Sequence, residues 1–471
     1  MFGLERYGDK TAVITDRGER LTYAELAAQA KCFAAAVAGD SLVMCLCENR
    51  LGSVVGYVGC LDGHIPIVLL DGGGDASGIK GLVAIYQPEY LWLLEDRVKD
   101  YEGEQVYSYG HFVLLRMRYE VEIEKPGIYP ELALCLTTSG STGSPKLVRL
   151  SEKNILSNAE SIAEYLEIDE EERPVTTLPS YYSYGVSVIN SHLIKGATLL
   201  LCEGTVVQRE FWRFMKERQA TSMAGVPYTY EMLRRLRFFR MDLPYLKTMT
   251  QAGGKLNEDI VLEYLQWAES SGKRFFVMYG QTEATARMSY LPLDHALEKY
   301  ASIGIAIPGG KFSLVDVNGL PVDEAGVEGE LVYEGPNVSL GYAECRADLA
   351  RGDDNKGVLY TGDVARRDAD GYYYITGRLK RFVKVWGNRC NLDAVEQLAK
   401  SVTTQCACAG VDDKITIFVT ESGLEEAIVR RLSTRMGLHA SAFSVRKIPE
   451  IPKKDTGKTD YPALQELITK S

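Results

Sequence analysis

Short apolar runs of strand length alternate with helical patterns along most of the sequence, and no other feature constrains the fold as much. The runs Thr11–Thr15, Leu42–Cys47 and Glu131–Thr138 are rich in apolar or β-branched residues, and turn residues close each of them. Runs of this kind are typical of buried strands, so the sequence predicts sheets that are covered on both faces.

Helical patterns stand between these runs. Thr22 followed by Glu25 forms a capping-box signal ahead of the alanine-rich segment Leu26–Ala38. The segments Glu258–Glu269 and Leu424–Met436 have the apolar spacing of amphipathic helices. The alternation predicts an α/β fold, with a large N-terminal domain of buried sheets flanked by helices and a small, mobile α+β C-terminal domain.

With 471 residues, the chain is too long for one ordinary core, so at least two domains are expected. The basic stretch Gly377–Arg381 follows the glycine-rich, hairpin-like segment Asp370–Gly377 and precedes a short region with strand and helix patterns of its own. We therefore predict domains at residues 1–378 and 379–471, the second acting as a lid.

Charge and composition exclude several classes of function. The 53 lysines and arginines and the 64 aspartates and glutamates leave a net charge of −11, which argues against general affinity for nucleic acid or anionic membranes. The start, Met1–Arg6, lacks the basic and apolar stretches of a secretory signal, and no apolar run is long enough to span a bilayer. We expect no nucleic-acid partner, no membrane and a cytoplasmic location.

The cysteines agree with that location. The closest pairs, Cys45/Cys47 and Cys406/Cys408, have one intervening residue, which is the wrong spacing for a zinc knuckle or a CxxC redox pair. Both pairs lie in apolar, strand-like runs. We expect buried thiols in a reducing compartment rather than metal ligands.

A loop rich in glycine and hydroxyl residues follows one of the strand patterns directly. TTSGSTGSPK (Thr137–Lys146) contains glycines that let backbone N–H groups converge, while its hydroxyls and Lys146 supply further donors for phosphate oxygens. A flexible linker has a similar composition, but it need not follow a buried strand or end in Pro-Lys. The loop therefore predicts phosphate binding.

This loop is not a Walker loop, because its lysine follows a proline rather than a glycine. The other partial match, Gly457-Lys458-Thr459, has Pro452 in the place of the first glycine. A nucleoside triphosphatase of that class is disfavoured.

Motifs in a fixed order give the chain a resemblance to a known superfamily. They are LTYAEL (Leu21–Leu26), TTSGSTGSPK (Thr137–Lys146), AGGKL (Ala252–Leu256), YGQTEAT (Tyr279–Thr285), GELVYEGPNVSLGY (Gly329–Tyr342), YTGDVARRDADGYYYITGR (Tyr360–Arg378), RLKRFVKVWGNR (Arg378–Arg389) and IPKKDTGKTDY (Ile451–Tyr461). The chain resembles the adenylate-forming superfamily of acyl-CoA synthetases, adenylation domains and firefly luciferase, and the likeness covers nearly all of it.

The resemblance implies that the chain binds ATP and Mg²⁺. The residues it assigns to nucleotide binding are Thr138, Ser139, Gly140, Ser141, Thr142, Gly143, Lys146, Gly253, Gly254, Tyr279, Gly280, Thr282, Asp363, Arg378 and Lys458. Their chemistry suits that role. Tyr279 offers a flat face for adenine, Glu283 is a hard oxygen ligand for Mg²⁺, and Asp363 could accept both ribose hydroxyls. Each of them could equally be structural outside its motif.

Four residues are assigned catalytic roles by the same resemblance: Lys458, Thr142, Glu283 and Lys384. Lys458 would stabilise the negative charge that develops when a carboxylate attacks the α-phosphate. The resemblance also implies that Lys380 is the hinge about which the small domain rotates after adenylation. Lys384 and Gly387 would then line the arrangement that meets the thiol.

The segment Leu178–Asn190 occupies the place that walls the acyl pocket in the superfamily. The candidate pocket residues are Tyr182, Tyr184, Met223, Val226, Ala252, Ala284 and Arg287. The segment contains no acidic residue, and an ammonium without a partner carboxylate is costly to desolvate, so an α-amino acid substrate is disfavoured. Arg287 could face a polar or anionic group of the substrate, or it could pack against its own loop.

The implied reaction is ATP-dependent activation of a carboxylic acid to acyl-AMP with release of pyrophosphate, and then acyl transfer to a thiol. That thiol is CoA or the phosphopantetheine of an acyl or peptidyl carrier protein, and the sequence does not separate the two. The alternatives are an amino-acid-activating carrier-protein ligase, a luciferase-like oxidative use of the adenylate, and a catalytically silent nucleotide-binding protein.

Overall fold

The computed structural model describes residues 1–74, 76–121, 123–137, 146–386, 388–453 and 459–469. The strands are β1 (Thr11–Thr15), β2 (Arg20–Thr22), β3 (Val43–Cys47), β4 (Ile67–Asp71), β5 (Tyr90–Leu94), β6 (Gly103–Tyr109), β7 (Phe112–Met117), β8 (Leu132–Thr137), β9 (Leu147–Ser151), β10 (Pro174–Val175), β11 (Leu199–Leu201), β12 (Ser222–Gly225), β13 (Thr248–Gln251), β14 (Arg274–Tyr279), β15 (Ser289–Tyr290), β16 (Ile305–Ala306), β17 (Lys311–Val315), β18 (Glu328–Glu334), β19 (Gly341–Ala343), β20 (Val358–Arg367), β21 (Tyr373–Arg378), β22 (Phe382–Val385), β23 (Asn388–Asn391), β24 (Cys406–Val411), β25 (Lys414–Val419) and β26 (Phe443–Lys447).

The α-helices are α1 (Tyr23–Ala36), α2 (Leu51–Asp62), α3 (Ala76–Tyr86), α4 (Glu152–Tyr165), α5 (Ser183–Leu193), α6 (Arg209–Glu217), α7 (Pro227–Arg235), α8 (Glu258–Ser270), α9 (Leu392–Lys400), α10 (Glu425–Met436) and α11 (Tyr461–Thr469). The described helices include none that is both long and apolar enough to cross a bilayer.

The chain divides into two compact units. Unit one comprises Met1–Tyr300, Gly304–Lys311 and Glu334–Leu359, and unit two comprises Ala301–Ile303, Phe312–Tyr333 and Tyr360–Ser471. The predicted boundary after Arg378 falls inside unit two, at the end of β21. That boundary, with the mobility expected of the C-terminal part, stays a prediction.

Two large sheets form unit one. One has the strand order β19-β9-β8-β4-β3-β5-β7-β6, and the other has the order β16-β15-β14-β13-β12-β10-β11-β1-β2. Every residue of β3 is buried, and so are the side chains of α2 from Leu51 to Leu61. Strands buried on both faces explain the continuous apolar runs of the sequence.

Local signals in the sequence account for several of these elements. In the capping box that begins α1, the Thr22 hydroxyl accepts from the Glu25 N–H and the Glu25 carboxylate accepts from the Thr22 N–H. The helices predicted at Glu258–Glu269 and Leu424–Met436 are observed as α8 and α10, within one residue at each end. The predicted mixed α/β fold class is confirmed.

Parallel strands in the second large sheet of unit one bring three loops to the same edge. β12 pairs with β13 and β13 pairs with β14, so that Gly225, Gln251 and Val277 lie side by side. The loops that follow these strands, at Val226, Ala252 and Gly280, therefore start next to one another. Ligands in open α/β sheets bind at such carboxyl edges.

Unit two contains the sheet β17-β18-β20-β21 (apart from a few end residues), the ribbon β22-β23 and the sheet β24-β25-β26. A buried ionic cluster lies under its C-terminal helices. Glu396 accepts from Arg381 (3.3 Å), Lys400 (2.8 Å) and the Tyr461 hydroxyl (3.0 Å). Its side chain is only 4% exposed, so these contacts compensate a charge that water does not reach.

Candidate active site

The motif at the end of β14 (Tyr279–Thr285) packs against the residues that directly follow it in the chain. An added Cβ at Gly280 would lie 1.6 Å from the Ala286 carbonyl oxygen, so only glycine fits there. Tyr279 is half-buried, and its hydroxyl accepts from the Gln281 amide at 3.2 Å. Thr282 lies 3.0 Å, hydroxyl to hydroxyl, from Ser183 at the start of α5. The motif therefore meets the predicted wall of the acyl pocket.

Glu283 and Lys146 belong to one cluster of side chains. The Tyr342 hydroxyl donates to Glu283 Oε1 at 2.7 Å, and Lys146 Nζ lies 5.6 Å from the centre of the Tyr342 ring. Lys146 also pairs with Glu344 at 2.6 Å. Burial, followed by the Glu283 carboxylate, raises the pKa of Tyr342, so its hydroxyl stays a donor at neutral pH. The cluster joins a cation suited to phosphate and a carboxylate suited to Mg²⁺ through one tyrosine.

The glycine pair after β13 lies against the acyl wall. Gly253 has φ 82°, and an added Cβ would lie 2.5 Å from the Tyr182 hydroxyl and 3.0 Å from Val226 Cγ1. A Cβ on Gly254 would meet Pro227 Cγ at 3.2 Å. Because Gly253 and Gly254 have no side chains, Tyr182 can approach the backbone closely. A planar ligand that binds beside this backbone would need the same open space.

Tyr184 faces the sheet from α5. Its hydroxyl lies 2.8 Å from the Thr250 carbonyl oxygen, to which it donates. The rings of Tyr182 and Tyr184 are 6.4 Å apart in an edge-to-face arrangement, and burial raises the pKa of Tyr182 to about 12. The remaining predicted pocket residues Met223, Val226, Ala252 and Ala284 are all buried.

Arg287 follows a short loop whose backbone is strained. Thr285 and Ala286 have φ values of 57° and 104°, which non-glycine residues rarely adopt. Two buried asparagines hold this loop: the Asn158 amide donates to the Arg287 carbonyl at 2.8 Å, and the Asn337 amide donates to the Ala284 carbonyl at 2.8 Å. The Arg287 side chain turns inward and is 2% exposed, so it does not lie on the surface of its own loop.

Two of the predicted nucleotide residues contact each other in unit two. Asp363 and Arg378 are register partners on β20 and β21, and Arg378 Nε donates to Asp363 Oδ1 at 3.0 Å. Asp363 is 2% exposed and comes directly after Gly362, which has φ 70°. The hairpin thus presents a carboxylate and a guanidinium as one paired group.

Lys384 lies on β22 with its side chain exposed. Its backbone N–H donates to Asp412 at 2.9 Å, and its carbonyl accepts from the Asp413 N–H at 2.7 Å. These contacts fix the ribbon and leave the lysine side chain in solvent. Lys380 lies in the 3₁₀ turn Leu379–Arg381, where its side chain is not described.

Several predicted site residues lie outside the described part of the chain. They are Thr138, Ser139, Gly140, Ser141, Thr142, Gly143, Gly387 and Lys458. Their assignments stay predictions.

The structure adds contacts that the sequence analysis did not assign. Tyr342 and Asn337 both belong to the motif Gly329–Tyr342, so the motif itself was the available signal. Asn158 on α4 and His192 on α5 carry no motif. Nothing in the sequence near them points to the loop and the pocket that they contact.

The available donors fit a metal that is carried in with phosphate. Over the described ranges, no group of three or more His, Cys, Asp or Glu side chains could hold a metal ion. Mg²⁺ is usually bound by one or two carboxylates together with substrate phosphates and water. Glu283, with Thr282 beside it, fits that pattern and does not form a complete protein cage.

Comparison with known proteins identifies the family. The family model described as AMP-binding enzyme matches residues 3–343. A feruloyl-CoA synthase from Amycolatopsis sp is 29% identical over 348 residues, which cover 70% of this chain and 68% of that protein. A long-chain-fatty-acid–CoA ligase from Escherichia coli O157:H7 is 28% identical over 412 residues, which cover 83% of this chain and 71% of that protein.

A solved structure extends the likeness in fold. The o-succinylbenzoate CoA synthetase of Bacillus subtilis, in complex with its acyl-adenylate intermediate, has a TM-score of 0.78 at 19% identity, and the match covers 98% of this chain and 97% of that one. The predicted resemblance to adenylate-forming enzymes is confirmed. The chain belongs to the AMP-binding enzyme family and is an AMP-forming acid–thiol ligase.

Proposed function

We propose that this enzyme uses Mg²⁺·ATP to convert a non-amino carboxylic acid to its acyl adenylate and then passes the acyl group to CoA. The observation that carries the proposal is the cluster in which Tyr342 joins Glu283 to Lys146. In this proposal Glu283 would hold the metal and Lys146 a phosphate, while Tyr279 and Gly280, in the same motif as Glu283, would admit adenine.

In the first half-reaction, a carboxylate oxygen of the acid attacks the α-phosphorus, the bond to the β-phosphate oxygen breaks, and pyrophosphate leaves. Glu283 would hold Mg²⁺ together with the nucleotide, and the metal would there neutralise charge on the phosphate oxygens. Lys146 would bind a phosphate once its contact with Glu344 opens, and Lys458 would meet the charge that develops at the α-phosphate. Tyr342 orients the Glu283 carboxylate by its hydrogen bond.

In the second half-reaction, the thiolate attacks the acyl carbonyl and AMP leaves. We propose that residues 379–471 rotate about Lys380 between the two steps, and that Lys384 and Gly387 then face the thiol. The exposed side chain of Lys384 on a ribbon fixed by Asp412 and Asp413 supports this role. A change of arrangement between steps would let one site serve two reactions.

CoA is proposed as the acceptor because relatives similar over most of the chain are named as CoA synthases and CoA ligases. A carrier-protein phosphopantetheine presents the same thiol, so the choice has to be made by experiment. The proposal also places the enzyme in a reducing compartment such as the cytoplasm, since all ten cysteines are free and eight of them are buried.

A non-amino acid is proposed because the pocket offers a substrate ammonium no partner in Leu178–Asn190, and because the buried cation of Arg287 would repel it. An amino-acid-activating ligase is the alternative. ATP–pyrophosphate exchange on a panel of acids separates the two. A panel led clearly by an α-amino acid would show that this part of the proposal is wrong.

The half-reactions provide the test of Lys458. Lys458→Ala should lose ATP-driven adenylation by about 10²–10³-fold and still pass acyl from supplied acyl adenylate to CoA. Lys453→Ala, in the same segment, is the matched control and should leave both steps intact. Lys380→Pro should show the opposite pattern to Lys458→Ala, because a fixed φ restricts rotation. Equal losses in both halves for Lys458→Ala would remove the proposed role.

A further inference from the structure

A small cavity lies between α5 and the strands β12 and β13. Its free space is about 20 Å³, which is room for about one water molecule. Its lining includes Val188, His192, Ser222, Met223, Thr250 and Arg287. Met223 and Arg287 are also predicted acyl-pocket residues, so the cavity shares part of its lining with the predicted pocket.

Arg287 brings an uncompensated charge to this cavity. Its guanidinium donates to the Tyr165 hydroxyl at 3.3 Å, approaches Met278 Sδ at 3.4 Å and lies 5.0 Å from the centre of the Tyr184 ring. These partners are a hydroxyl, a thioether and a ring face. Within the described ranges, no carboxylate forms an ion pair with it, although a buried charge ordinarily requires one.

Two other charged residues line the cavity. Glu172 is buried, and its carboxylate accepts from the Thr221 hydroxyl but lies in no ion pair among the described residues, Arg287 included. Arg274 is paired with Glu167 at 2.7 Å. Arg287 is therefore the cation of this lining whose counter-charge must come from elsewhere.

Two polar atoms in the lining lack partners altogether. Arg287 Nε and Ser222 Oγ are both buried and form no hydrogen bond in the structure. Leaving a buried donor unsatisfied costs roughly 1–3 kcal/mol, and more for a charged group. A polar group from outside the chain could satisfy both atoms at once.

His192 limits what that group can be. Its Nδ1 lies 2.8 Å from the Val188 carbonyl oxygen, which can only accept, so Nδ1 carries the proton. Burial, with a further contribution from Arg287, lowers the pKa of His192 to about 4, so the ring is neutral at pH 7. His192 therefore adds no positive charge to the lining. Among the described lining residues, Arg287 is the cation without a carboxylate within ion-pair distance, which favours an anion beside it.

Arg287 borders both this cavity and the motif Tyr279–Thr285. An added Cβ on Gly280 would lie 2.9 Å from Arg287 Cα, so the arginine backbone borders the nucleotide motif while its guanidinium reaches the cavity. Resting on the proposed function, we propose that the acid substrate is a dicarboxylic acid whose second carboxylate binds the Arg287 guanidinium and places one oxygen in this cavity, in the space of about one water molecule.

The test compares acids that differ only at their far end. ATP–pyrophosphate exchange is measured with a series of straight-chain dicarboxylic acids, each paired with its half-amide and with the monocarboxylic acid of equal chain length. If the far carboxylate forms a hydrogen-bonded charge pair with Arg287, the best dicarboxylic acid should exceed its monocarboxylic partner in kcat/KM by about 10- to 100-fold. Arg287→Met should abolish that preference, so that the ratio of the two kcat/KM values falls to about 1 whatever the absolute rate of the variant.

Arg274→Met is the matched control, because this arginine lines the same cavity but has its own carboxylate partner; it should keep the preference. Arg287→Lys keeps the positive charge and should therefore keep part of the preference for dicarboxylic acids. A wild-type enzyme that favours monocarboxylic acids, or an Arg287→Met enzyme that loses both classes equally, would overturn the inference and leave the proposed function standing. Failure of exchange with every acid would refute the proposed function itself.

Discussion

His192 is expected to make the stability of the enzyme depend on pH. Its pKa is 6.5 in an unfolded chain and about 4 in the folded protein, because burial disfavours the imidazolium. Between these two values the unfolded chain binds more protons than the folded protein, so the free energy of unfolding rises with pH. The stability is present in full above pH 6.5 and is lost as the pH falls toward 4.

The size of the effect follows from the two pKa values. Each pH unit between them corresponds to 1.36 kcal/mol, so about 3 kcal/mol is lost in all, and about 2 kcal/mol of it between pH 7.5 and pH 5. Other groups that titrate in this range contribute equally to any variant that keeps them. The quantity to compare is therefore the difference between two proteins.

Urea unfolding at pH 7.5, 6 and 5 measures the free energy of unfolding of the wild type and of His192→Asn, and thus the difference between them. The asparagine amide can still donate to the Val188 carbonyl but does not titrate, so this variant should lose about 2 kcal/mol less than the wild type over that interval. His111→Gln is the control, since His111 is 68% exposed and hydrated in both states. Equal losses in the wild type and His192→Asn would refute the reasoning.

Three further predictions concern charged residues. Glu283→Gln should lower Mg²⁺·ATP-dependent turnover by about 10²-fold or more, because bound metal supplies several kcal/mol; normal turnover at limiting Mg²⁺ would contradict its assignment. Glu344→Gln frees Lys146 from an exposed ion pair worth up to about 1 kcal/mol, so the KM for ATP should fall by up to about fivefold; an increase in KM would show that the pair assists binding. Glu396→Gln should lower the free energy of unfolding by up to about 3–5 kcal/mol in thermal melts, since it removes the buried carboxylate that pairs with Arg381 and with half-buried Lys400; an unchanged melt would mean that water compensates the cations.

The local parts of the fold could be predicted because their causes are local. The Thr22–Glu25 capping box and the periodicity of α8 depend on residues within a few positions of one another. The glycines at 253 and 280 could be singled out from their motifs, although the tyrosine and the backbone that exclude a Cβ there became known only from the structure.

The interior of the site could not be predicted, because its contacts join distant parts of the chain. Asn158 and Arg287 are 129 positions apart, and Glu283 and Tyr342 are 59 apart. Neither the apolar periodicity nor the turn residues of the sequence indicate contacts between positions so far apart. Arg287 illustrates the result: as a residue type it favours solvent, and only the packing of α4, α5 and β14 around it makes it a buried cation.

The strained loop at Thr285–Ala286 has a consequence for redesigning the acid preference of this enzyme. It separates Glu283 from Arg287 by only three residues and is held by Asn158 and Asn337. A substitution at 287 that shifts this backbone would also displace the carboxylate on the nucleotide side. Libraries that vary the α5 wall should therefore yield new preferences with less loss of turnover than libraries that vary the loop.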